Sequence, residues 1–87
     1  MFVCNGDIKY KCTKPKIKTL NKSNKVVEFT IVDDISRADV LSLFATSAFY
    51  VFDETANVAL FDADGREFKR IRITYNDDLS YEIKIKY

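Results

Sequence analysis

The chain has 87 residues, 47% of them hydrophobic, with five Tyr and seven Phe. That is apolar material for one core in a single domain spanning residues 1–87, and it excludes intrinsic disorder. There is no His, which removes the commonest general base, the commonest metal ligand and every Ser-His or Cys-His nucleophile, so no catalytic residue, metal site or cofactor is expected. The formal net charge of +1 hides a polarity along the chain. Residues 1–25 carry seven Lys against one Asp, residues 26–65 one Arg against eight carboxylates, and residues 66–87 six cations against four carboxylates. Such segregation gives a protein two faces or ends of opposite sign.

The start, MFVCNGDIKYKC, has no basic segment followed by an apolar run, so no signal peptide is expected. No stretch approaches the roughly 18 apolar residues of a membrane-crossing helix. A soluble, cytoplasmic protein follows as the expectation, with Cys4 and Cys12 as free thiols acting as small hydrophobes.

In chain order, Asn5-Gly6 is a strong hairpin turn between FVC and DIKYKC. KIKTL leads through a polar NKSN turn into KVVEFTIVD, where Val27, Phe29 and Ile31 share one face and Glu28 and Thr30 the other. The one helical pattern is ISRADVLSLFATS. Ser36 reads as the N-cap with Asp39 at N3, and Ile35 and Val40 have hydrophobic-staple spacing. Val40, Leu41 and Phe44 are the expected apolar stripe, in one short helix near residues 36–46 that must lie on a sheet.

The remainder reads as a four-strand meander, AFYVF, NVALF, REFKRIRITY and SYEIKIKY, joined by DETA, DADG and NDDL. The fold class is therefore α+β: a mainly antiparallel sheet of about six strands, curled into a partial barrel or split into two layers, with one helix. AFYVF has the aromatic content of one strand of an RNA-recognition fold. It lacks the Gly and basic residue that open that motif, and the second helix has no counterpart, so it is not assigned to that family.

Two surfaces are candidates for binding. AFYVF and NVALF are apolar on both faces, so Phe49, Val51, Phe52 and Phe61 form either a covered core or an interface with a protein partner. The second is an anion or nucleic-acid patch of Lys9, Lys11, Lys16, Arg70, Arg72, Lys84 and Lys86, because two alternating segments place a cation at every second position. In the C-terminal hairpin a five-residue loop would set Arg72 opposite Lys84 and Arg70 opposite Lys86, like-charge pairs that destabilise a sheet. A three-residue Asn76-Asp77-Asp78 loop instead pairs Tyr75 with Leu79 and Arg72 with Glu82. That register is the expected one, and it leaves the row partly neutralised. Asp53, Glu54, Asp77 and Asp78 sit in turns that a meander would gather at one end, and Asp62, Asp64 and Glu67 form only a fragment of a calcium loop.

The leading expectation is a non-enzymatic protein-binding or assembly module: a homo-oligomer, or a small accessory subunit or inhibitor. Domains of this style, compact and of segregated charge, occur among phage-encoded and mobile-element accessory proteins. The alternative is a nucleic-acid-binding domain acting through the Lys/Arg-rich sheet face.

Overall fold

The computed structural model describes residues 1–87. Eight strands and one helix follow in the order β1 (Phe2–Asn5), β2 (Ile8–Lys11), β3 (Lys16–Asn21), β4 (Asn24–Ile31), α1 (Arg37–Leu43), β5 (Tyr50–Asp53), β6 (Val58–Asp62), β7 (Arg70–Tyr75) and β8 (Tyr81–Lys86). They form two four-stranded sheets, β2-β1-β5-β6 and β3-β4-β8-β7, with every pairing antiparallel. The mainly antiparallel α+β class is thus observed, with eight strands rather than about six and in the two-layered form. No helix is long and apolar enough to cross a membrane.

Strand formation follows the period-2 pattern. Val27, Phe29 and Ile31 on β4 and Tyr81, Ile83 and Ile85 on β8 are buried, while the residues between them stay at least partly exposed. From the other sheet Val3, Val51 and Phe61 join them, with Phe49 at its rim, to make one core. Phe49 sits at the centre of an aromatic group, 4.9 Å from the Phe44 ring in edge-to-face contact and 5.5 Å from Phe68.

The expected single meander is divided between the sheets. Hairpin β5–β6 pairs with β1, and hairpin β7–β8 pairs with β4. The cause is the segment 63–69, which turns tightly at Ala63–Arg66 and then crosses between the layers instead of returning into a strand paired with β6. Gly65 takes φ +73 there, and the Arg66 N–H donates to the Ala63 carbonyl at 3.0 Å. The Arg66 guanidinium lies 5.5 Å from the Phe61 ring and 5.2 Å from the Tyr87 ring, spanning the two layers.

Each half of the chain, β1–β4 and β5–β8, contributes one hairpin to each sheet, and the strand orders read symmetrically outward from the β1–β5 and β4–β8 seams. Corresponding residues do corresponding work. The Cys12 N–H donates to the Met1 carbonyl and the Ala63 N–H to the Phe49 carbonyl, both at 3.0 Å, and Cys12 and Ala63 are both buried small residues. The only helix lies between the halves. Ser36 caps it, accepting from the Asp39 N–H at 3.2 Å as expected. Its buried residues are Val40 and Leu43, while Leu41 is 52% exposed. Helical spacing i, i+3 places Leu43, not Leu41, above Val40, which corrects the expected stripe. At its end Asn5 Nδ2 donates to the Leu43 carbonyl at 2.9 Å and ties the helix to β1.

Candidate nucleic-acid interface

The register of the C-terminal hairpin decides the character of the basic row. Tyr75 pairs with Tyr81, Arg72 with Lys84 and Arg70 with Lys86, which is the five-residue loop and not the expected three-residue one. The turn itself explains the outcome. The Asn76 N–H donates to the Ser80 carbonyl at 2.9 Å, Asn76 Nδ2 to Ser80 Oγ at 3.0 Å and the Leu79 N–H to the Asn76 carbonyl at 3.1 Å. Asp78 accepts from both the backbone and the hydroxyl of Ser80, and those hydrogen bonds hold its carboxyl below the usual value. These interactions, with the Tyr75 and Tyr81 rings 4.9 Å apart, outweigh the repulsion between opposed cations.

Strands β7, β8, β4 and β3 are neighbours in that order, so the C-terminal row meets part of the N-terminal lysine run on one outer face. Two rows of cross-strand partners result: Lys16–Glu28–Lys84–Arg72 and Lys18–Val26–Lys86–Arg70. Residues in a row stand about 4.8 Å apart and the rows about 6.7 Å apart, from the strand spacing and the two-residue repeat. With Glu82 beside them, the face holds six cations against two carboxylates. Glu28 pairs with Lys18 at 3.7 Å and Glu82 with Lys84 at 3.6 Å. Lys16, Arg70, Arg72 and Lys86 have no carboxylate within 4.0 Å. Arg70, Arg72, Lys84 and Lys86, with Val26, line a shallow depression of about 170 Å³.

Of the seven residues in the sequence-derived patch, Lys16, Arg70, Arg72, Lys84 and Lys86 come together here. Lys9 and Lys11 do not, because β2 belongs to the other sheet. Lys18, in the same N-terminal lysine run and two residues from Lys16, joins the face as well. The apolar candidates divide differently. Phe49, Val51 and Phe61 are 0%, 0% and 3% exposed and lie within the core, while Phe52 points outward and is half-buried. The carboxylates named for a cation are also dispersed: Asp53 and Glu54 follow β5 in one sheet, Asp77 and Asp78 follow β7 in the other. No group of three or more Cys, Asp or Glu side chains is arranged as a metal cage.

Both cysteines are free. Burial pushes the Cys12 thiol up to about 12, so it remains protonated at neutral pH and serves packing. The chain matches no protein-family model, and no curated protein or solved structure matches it.

Proposed function

We infer that this protein is a non-enzymatic nucleic-acid-binding domain that holds a phosphate backbone on the outer face of the β3-β4-β8-β7 sheet. One observation carries the reading: the directly opposed pairs Arg72–Lys84 and Arg70–Lys86, with Arg70, Arg72 and Lys86 lacking carboxylate partners. Opposed like charges oppose the sheet pairing, and an anionic ligand removes that penalty on binding. Phosphates answer such a flat, repeated cationic grid, whereas a single small anion would engage only one of its corners. The face has no aromatic side chain, so contact is to the backbone rather than through stacked bases.

A protein-assembly role had Phe49, Val51, Phe52 and Phe61 as its surface, and the first, second and fourth of these are covered by the chain itself. The backbone-binding reading is therefore the better supported of the two.

Arg70→Glu together with Arg72→Glu tests it. Each substitution turns an opposed like-charge pair into an attractive one, so the variant stays folded. Fluorescence anisotropy with a labelled duplex of about 16 base pairs should show affinity falling on the order of a hundredfold at about 0.1 M salt. The wild type should also lose affinity steeply as salt rises. A response flat to both salt and substitution would overturn the assignment.

A further inference from the structure

The β2-β1-β5-β6 sheet has an uncovered outer face of its own, and its composition differs from the basic grid. Cross-strand pairing sets Lys11 beside Phe2 and Phe2 beside Phe52 in one row, and Lys9, Cys4, Tyr50 and Asp62 in the next. Phe2, Tyr50 and Phe52 are each partly exposed, and none of them packs against the core. Along β2 the lysines alternate with the inward-facing Tyr10, which hides their aromatic neighbours from a reading of that strand alone. The pairing of β2 with β1, and of β1 with β5, supplies them.

We propose that this face is a second site, a stacking platform for the bases of single-stranded nucleic acid, with Lys9 and Lys11 placed for its phosphates. It extends the backbone-binding reading to a strand type, but it lies on the opposite sheet and stands on separate residues. The spacing of the rings selects a single strand. Tyr50 and Phe52 have centroids 6.5 Å apart, about twice the roughly 3.4 Å rise of a stacked strand, and their planes stand at 89° to one another. Bases seated on the two rings are therefore both parted and turned across one another, a splayed arrangement that an extended single strand allows and a duplex does not. Stacking is tolerant of sequence because every base has a π face. Charge agrees: Lys9 and Lys11 lie at the β2 edge, and Lys9 Nζ already rests 4.1 Å from the Phe2 ring, placing a cation against the aromatic row. Asp62, the carboxylate on this face, accepts from the Asp64 N–H at 3.0 Å within its own turn.

The test maps an isotopically labelled protein with hexathymidylate by NMR and measures affinity by anisotropy, with the same duplex as control. The expected result is that amides of β1 and β5 shift on titration. Tyr50→Leu and Phe52→Leu keep apolar bulk but remove the π faces. They should each weaken hexathymidylate binding about fivefold to a hundredfold and leave duplex binding within about twofold. In the Arg70→Glu, Arg72→Glu background the shifts at β1 and β5 should persist, so loss of the duplex site and loss of the platform are separate outcomes. Shifts confined to β3, β4, β7 and β8, or unchanged affinity in both Leu variants, would overturn the proposal. So would concentration-dependent light scattering abolished by Phe52→Leu, which would make a second copy of the chain the occupant.

Discussion

Cys12 shows how one side chain ties packing to a measurable pH window. It is 5% exposed, on the inward side where the chain leaves β2 and bridges Ile31 of the other sheet. Burial disfavours the thiolate, raising the group from 9.0 to about 12 in the fold. The folded state therefore binds a proton that the unfolded state has released. The contribution is intact below pH 9 and declines as pH rises from 9 to 12. Cys12→Ala should melt below the wild type at about pH 8 because it removes buried volume. As pH climbs through that window the gap should narrow, since only the wild type carries the titrating thiol. Thermal unfolding at half-unit steps measures this, and a constant gap would show that the thiol is not held neutral. Nothing in the sequence singled out Cys12 over Cys4, because the inward position of Cys12 depends on which strands its segment joins.

At the scale of strands, the elements were legible and their partners were not. Alternation in KVVEFTIVD and SYEIKIKY identified β4 and β8 and their buried faces, because a half-buried strand writes its two sides into every second residue. Sheet membership depends on pairing between distant segments, such as β1 with β5 and β4 with β8, which local pattern does not encode. The hairpin register failed for a related reason. Two loop lengths preserve the faces, and the choice fell on a turn stabilised by Asn76, Asp78 and Ser80 rather than on avoidance of opposed cations. Leu79 bears part of that choice, held at φ +71 and 66% exposed. This trade-off makes a prediction at the seam of β7 and β8. Lys86 faces Arg70 on one side and Val26 on the other, so Lys86→Glu creates an opposite-charge pair and no new repulsion across either strand. Stability should rise by roughly 0.5–1 kcal/mol, about 2–8 °C in Tm for a domain of this size. Duplex affinity should fall in the same variant. A substitution that lowers both would mean that Lys86 supports the sheet rather than a ligand.

The two-half architecture gives the whole molecule two basic edges. Lys16, Ile17 and Lys18 on β3 correspond to Arg70, Ile71 and Arg72 on β7, each strand outermost in the same sheet with its cations on the same face. Their surroundings differ. Beside β3, β4 presents Glu28 and Val26, and Glu28 already pairs with Lys18. Beside β7, β8 presents Lys84 and Lys86, so cation faces cation. Similar topology therefore produces a lopsided potential, strongest at the β7–β8 edge, where four cations surround one depression. At about 0.1 M salt, removing the cation that neutralises one duplex phosphate costs on the order of tenfold in affinity. Arg70→Glu with Arg72→Glu should then reduce binding on the order of a hundredfold. Lys16→Glu with Lys18→Glu should reduce it less than about tenfold, because Glu28 has already offset part of that edge. Both double variants can be compared by anisotropy on the same duplex, with the salt dependence of each recorded. A shallower salt slope only for the β7 variant would locate the bound phosphates at that edge. Equal losses would instead mean that the ligand spans the entire sheet and reads both halves alike.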